Sequence, residues 1–335
     1  MSNLKDFPIQ FASRGCNPGI NEARESMWAW AEEMNIRPTS SAERKMINTR
    51  PETWISLVFP DASPELLQEF GEWLFWAFLV DDEFDDGPAG KDPSLCMEVI
   101  ARFIAVFDGA APVTPMEAAL SDLVRRTCTG RSGAWLRQFR RDTAAWLWTY
   151  HSESMTAGSG ALTSLDRYMR HRRESVAMQP FLDLHEICAG IELSEAARSL
   201  PAYQDLRRTV TDHSALTNDI CSSEKEMARG YTMNSMAILQ LSHDISSTEA
   251  LSRAKDLLSE TGRNLIRAEE DLALQIEMAS LPESDKDGLK RCLEDYRGMA
   301  RGDFDFHNQA ERYNRPDLIE QLSENVEISE YFLKI

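Results

Sequence analysis

None of the six cysteines (Cys16, Cys96, Cys128, Cys188, Cys221, Cys292) stands in a CxxC pair. That argues against a disulfide framework or a zinc knuckle and fits a reducing, cytosolic setting. Long apolar runs are missing too. The longest is Trp73 to Val80, far short of a membrane span. The opening MSNLKDFPIQ has no basic stretch followed by an apolar one, so no secretory signal is read. Basic charge is scarce. With 36 Lys and Arg against 55 Asp and Glu, the net charge is −19, which disfavours nucleic acid as a partner. An anionic substrate stays open, because bound divalent cations invert the local field. Alternating β patterns are few, no Asn-Gly or Asp-Gly hairpin signal lies between β-branched runs, and no internal repeat is present.

Helical patterns fill the 335 residues. Apolar spacing of three and four, or strong helix formers, covers 64–86, 94–107, 115–127, 134–155, 164–189, 194–198, 203–228, 233–241, 248–279, 284–309 and 316–325. Gly and Pro fall mainly between these segments. The chain is therefore expected to be one all-α domain over 1–335, with about ten to twelve helices and no linker. Its first fifty residues are expected to form an arm and a short helix that cap the site.

The segment DDEFDD, Asp81 to Asp86, carries the strongest chemical signal. Ser63-Pro64-Glu65 reads as the start of its helix and Gly87-Pro88 as the stop. The acids thus lie at the negative end of the helix dipole, where each charge costs about 0.3–1 kcal/mol. Folding gains nothing from that placement, whereas divalent cations would offset it. Asp81 and Asp85 share a helix face, and so do Asp82 and Asp86, so two ligand registers are open. A second cluster, NDICSSEKE at 218–226, spaces Asn218, Ser222 and Glu226 by four and four. On a helix these stack an amide oxygen, a hydroxyl and a carboxylate into one stripe. Such hard oxygen donors suit Mg²⁺ and leave room for phosphate oxygens. Two basic elements complete the set: Arg170-His171-Arg172-Arg173, with a break plausible near Ser175 and Pro180, and Arg312-Tyr313 after an aromatic-rich segment holding Phe304 and Phe306.

Taken together, these elements resemble the microbial class I terpene synthases, the bacterial-type terpene cyclases. The resemblance covers nearly the whole chain, from Asn17-Pro18 to Arg312-Tyr313, with the motifs in the family order. Arg172 precedes Asn218 by 46 positions, similar to the family's spacing for its diphosphate-sensing arginine. The resemblance implies an all-α bundle around a central apolar cavity. It further implies a lyase of isoprenoid biosynthesis that ionises an isoprenyl diphosphate with three Mg²⁺ ions and cyclises the carbocation. Farnesyl diphosphate, giving a sesquiterpene hydrocarbon or alcohol, is the expected substrate, with geranyl and geranylgeranyl diphosphates as alternatives.

By the same resemblance, Asp81 is the principal aspartate ligand, Asp85 supports it, and Asp82 faces Arg312 on closure. Asn218, Ser222 and Glu226 hold the third ion. Arg172, Lys225, Arg312 and Tyr313 bind the diphosphate. Ser175 and Val176 match the linker and effector positions at the helix break. Glu153 is similar to a family glutamate. Phe78 and Phe306 are the expected aromatic walls of the cavity; Phe75, Trp76, Trp146, Trp148, Tyr150 and Phe304 are read first as core. The chain departs from the family in carrying Phe306 where a Trp is frequent. Arg173 also stands beside Arg172 as a substitute sensor. Homodimers are common among similar proteins, but no feature of this sequence demonstrates one.

Three other readings are weaker. A chain-elongating isoprenyl diphosphate synthase carries a second aspartate-rich motif, and here the second site is NDxxSxxxE. A His-Asp phosphohydrolase lacks partner histidines for His243-Asp244. A catalytically silent binding module would have lost a motif residue, and none is lost.

Overall fold

The computed structural model describes residues 4–156, 163–228, 230–310 and 328–333. In chain order the helices are α1 (Ile20–Glu33), α2 (Ser40–Thr49), α3 (Pro51–Val58), α4 (Pro64–Asp86), α5 (Pro88–Lys91), α6 (Pro93–Phe107), α7 (Pro115–Cys128) and α8 (Gly133–Thr156). They continue as α9 (Leu165–Ser175), α10 (Met178–Cys188), α11 (Glu195–Arg198), α12 (Pro201–Ala228), α13 (Ser235–His243), α14 (Ser247–Met278), α15 (Glu283–Gln309) and α16 (Glu330–Leu333). No strand occurs among the described residues, and no helix there is long and apolar enough to cross a membrane. The helix expected over 316–325 lies outside the described residues.

Local chemistry accounts for the helix that carries DDEFDD. The Ser63 hydroxyl accepts from the Leu66 amide, and Pro64 takes the first turn, where its missing N–H costs nothing. From Leu67 to Val80 almost every side chain is buried, so α4 is an internal helix with no solvent face. Trp76 is sealed among Trp73, Phe103 and Trp146, and its ring N–H donates to the Met116 carbonyl. Gly87 ends the helix, but Pro88 does not open a loop: it is the first residue of α5.

Two further expectations need amending. The first fifty residues hold two helices, α1 and α2, and α1 packs on α4 with Trp28 edge-on to Phe75. The long pattern over 164–189 is two helices. Ala177 sits between them with φ +59, the left-handed region that residues bearing a Cβ rarely adopt. Ser175 and Val176 flank that break, and Pro180 falls in the tolerant first turn of α10.

The core is made chiefly by α1, α3, α4, α6, α8, α10 and α15. Gly302 allows α15 to lie against α3, since a Cβ there would fall 2.2 Å from the Leu57 carbonyl oxygen. A smaller cluster joins Leu216, Ile220, Met236, Leu258 and Phe304. Beside it His213 is 1% exposed, faces the rings of Phe11 and Phe304, and has no hydrogen-bond partner for Nδ1 among the described residues. Burial, with the nearby His307, pushes its pKa from the ordinary 6.5 down to about 4. The unfolded chain therefore takes the proton first, and stability is lost as pH falls from about 6.5 through about 4. The loss should approach roughly 3 kcal/mol. Thermal melts across that range should show it, and His213→Leu should flatten the slope.

Candidate active site

The DDEFDD acids part onto two sides of α4. Asp81 accepts from the Tyr150 hydroxyl of α8 at 3.1 Å, and Tyr150 itself stacks on Phe84. On the other side, Asp82 and Asp86 pair with Lys45 of α2, the latter at 3.2 Å. Asp85 is accessible to water yet closely surrounded, as a group on the wall of a cleft is. That confinement raises its pKa well above the carboxylate range, and the charges of Asp81, Glu153 and Asp86 add to it.

The second stripe lies on α12, and α9 is its partner. Arg172 donates from Nη2 to the Asn218 amide oxygen at 2.7 Å and from Nε to Asp219 at 2.9 Å. It also reaches the Ser175 hydroxyl at 3.2 Å. Arg173 turns away and pairs with Asp212 at 2.6 Å, so Arg172 is the arginine of the pair that meets the stripe. Asp219 points inward and is held by the Tyr168 hydroxyl at 2.7 Å and the Ser235 amide at 3.0 Å. The Asn218 amide nitrogen lies 3.1 Å from His307 Nε2 on α15. Phe306 is the next residue, 1% exposed, with its ring edge-on to His307. Phe78 is half-buried one turn before Asp81, packed against the core. Trp76 and Trp146 are core, as read, whereas Trp148 is exposed at 38%. Lys225 is half-buried beside Glu226. Arg312 and Tyr313 lie outside the described residues.

Polar contacts of Glu153 tie α8 to α9 and to the loop after α12. Glu153 of α8, near Asp85, binds His171 of α9 at 2.7 Å and the Tyr231 hydroxyl at 3.3 Å. Asp81 of α4 thus bonds to α8, and Asn218 of α12 bonds to α9 and α15, with Glu153 linking α8 to α9.

Sequence reading missed Asn234, which is fully buried and caps α13. Its amide nitrogen donates to Glu226 at 2.8 Å and to the Asp219 carbonyl at 3.0 Å, with the Ser222 hydroxyl at 3.5 Å. It braces the third member of the stripe from behind. An Asn in a short loop carries no motif, so only the return of the chain toward α12 reveals it. Asn234→Ala should weaken metal binding about 10–100-fold, the usual cost of losing a residue that orients a ligand. A titration of Mg²⁺ with inorganic diphosphate would measure it.

The donor set suits a hard divalent cation. Every candidate ligand presents oxygen, and crowded carboxylates that raise one another's pKa are relieved by positive charge. No group of three or more His, Cys, Asp or Glu residues converges on one point among the described residues. Mg²⁺ does not need such a cage, because it is commonly held by one or two carboxylates, water and substrate phosphates.

Acidic and amide–hydroxyl–carboxylate stripes on two helices, with a half-buried arginine bound to the second, suit a metal-binding enzyme for an anionic substrate, built on an all-helical bundle. Residues 72–264 match the family described as terpene synthase family 2, C-terminal metal binding, and the chain belongs to that family of microbial class I terpene synthases. It is 28% identical over 318 residues to the (2Z,6E)-hedycaryol synthase of Kitasatospora setae, covering 94% of each chain. It is 26% identical to the pentalenene synthase of Streptomyces avermitilis, covering 92% of each. Its fold superposes on a solved hedycaryol synthase in complex with HEPES with a TM-score of 0.81 at 26% identity, over 91% of this chain and 98% of that one.

Proposed function

We propose that this protein is a Mg²⁺-dependent sesquiterpene synthase, which ionises farnesyl diphosphate and closes the resulting cation into a hydrocarbon or alcohol. The observation that carries the reading is the contact of Arg172 with Asn218 and Asp219. The hedycaryol, pentalenene and germacrene A synthases among its relatives support the substrate class. Asp81 and Asp85 on one wall, and Asn218, Ser222 and Glu226 on the other, would hold three Mg²⁺ ions. Those ions supply the charge that makes diphosphate a competent leaving group.

The remaining chemistry belongs to the chain. Arg172 and Lys225, with Arg312 and Tyr313 from the carboxyl-terminal segment, bind and orient the diphosphate. Asp82 would meet Arg312 on closure only by exchanging its Lys45 partner. At the break, Ser175 beside Arg172 and Val176 after it would act as the linker and effector positions, offering a backbone carbonyl to the leaving group. Phe78 and Phe306 turn aromatic faces to the cation, each worth about 0.5–2 kcal/mol. The first fifty residues cap the single domain and help keep water from the cation. The enzyme acts in the cytosol.

The test is incubation of purified protein with geranyl, farnesyl and geranylgeranyl diphosphates plus Mg²⁺, followed by analysis of the volatiles. A cyclic sesquiterpene from farnesyl diphosphate is expected. A longer prenyl diphosphate formed with isopentenyl diphosphate would mean elongation instead.

A further inference from the structure

We propose that Lys45 is a positioning residue that selects which face of the DDEFDD helix binds metal. By claiming Asp82 and Asp86, it leaves Asp81 and Asp85 to the cleft. The inference rests on the reading of that cleft as a metal site.

Sequence spacing cannot make this choice. In a helix the pairs 81/85 and 82/86 are equivalent apart from a rotation of about 100°. Each presents two carboxylates one turn apart, so either could seat a cation. The structure breaks the equivalence from outside α4. Lys45 comes from α2, is 5% exposed, and places its ammonium between Asp82 and Asp86. Asp82 is itself 6% exposed. On the adjacent face, Tyr150 donates to Asp81, and Asp85 is exposed to solvent. A lysine fits this task. Its compact charge carries three donors and can serve two carboxylates at once, while adding no acceptor that would compete for metal. The buried neighbours of Lys45 on α2, Ala42 and Met46, fix the direction from which the ammonium arrives.

A purely structural ion pair would hold α2 in place without affecting ligand choice, so the test reads ligand identity. Asp85→Cys and Asp86→Cys would each be made with Cys16→Ser, since Cys16 is the exposed thiol. Each would be titrated with Cd²⁺ and inorganic diphosphate while the Cd–thiolate absorption is followed. The band is expected for Asp85→Cys and not for Asp86→Cys. Adding Lys45→Met should make it appear at position 86. In parallel, Lys45→Met should raise by about tenfold the Mg²⁺ needed for thermal stabilisation with diphosphate. Lys45→Arg, which keeps the charge, should recover most of that.

A band of equal strength at positions 85 and 86 with Lys45 intact would overturn the proposal, as would an unchanged Mg²⁺ requirement in folded Lys45→Met protein. If Lys45→Met does not fold, the comparison of positions 85 and 86 with Lys45 present still decides. A band at neither position would instead sink the metal-site reading on which the proposal stands.

Discussion

Asp81→Ala protein is expected to lose at least about a hundredfold in kcat/KM with farnesyl diphosphate while keeping its helix content and melting temperature. The two readouts separate because Asp81 sits near the carboxyl end of α4, where the dipole disfavours an acid, so its removal relieves part of what the lost hydrogen bond costs. Its partner there, the Tyr150 hydroxyl, loses one hydrogen bond. Asn218→Ala should lose turnover to a similar degree, for a double reason. It deletes the first oxygen of the stripe and frees Arg172 from the contact that aims it. Steady-state kinetics beside circular dichroism would check both variants. Near-normal turnover in either would remove that residue from the chemistry.

The largest effect on stability is expected far from the cleft. Arg207 is 2% exposed and pairs with Asp183 at 2.9 Å and Asp142 at 2.8 Å, and Gln179 completes its shell through side chain and carbonyl. Asp183 is fully buried. Burial pushes its carboxyl up, and Arg207 is the first influence pulling it back down. Removing one member of a buried ion pair strands the other charge, which costs about 3–5 kcal/mol. Against a total stability of about 5–15 kcal/mol, Arg207→Met should leave little of the fold at physiological temperature. Replacing both charges, Arg207→Met with Asp183→Leu, should recover much of the loss, because apolar packing can substitute for a buried pair but not for half of one. Urea denaturation of the two variants would show the contrast.

What could be read from the sequence was what local chemistry decides. The bounds of α4 follow from the Ser63 cap, Pro64 and Gly87, and its oily run followed by acids is contiguous in the chain. The stripe Asn218, Ser222, Glu226 was legible because a helix turns spacing directly into a shared face. Tertiary approach was not legible. Lys45 and Asn234 look like unremarkable residues in α2 and in the loop after α12; only packing delivers one to Asp82 and the other to Glu226. Glu153 and Tyr231 likewise become partners only when α8 and that loop meet. The break at Ala177 was foreseen only as a neighbourhood, since no glycine marks the residue that takes the left-handed backbone. The choice of Arg172 over Arg173 was open in a run of basic residues until Asp212 was seen to occupy Arg173.

Asp81 and Asp85 on α4, and Asn218, Ser222 and Glu226 on α12, are proposed to trap divalent cations together around a diphosphate. The most direct test of that arrangement is anomalous diffraction from crystals soaked with Mn²⁺ and inorganic diphosphate. Manganese peaks are expected against Asp81 and against the Asn218–Glu226 stripe, with the diphosphate between them and within reach of Arg172. Peaks confined to other acidic surfaces, with the cleft empty, would contradict it.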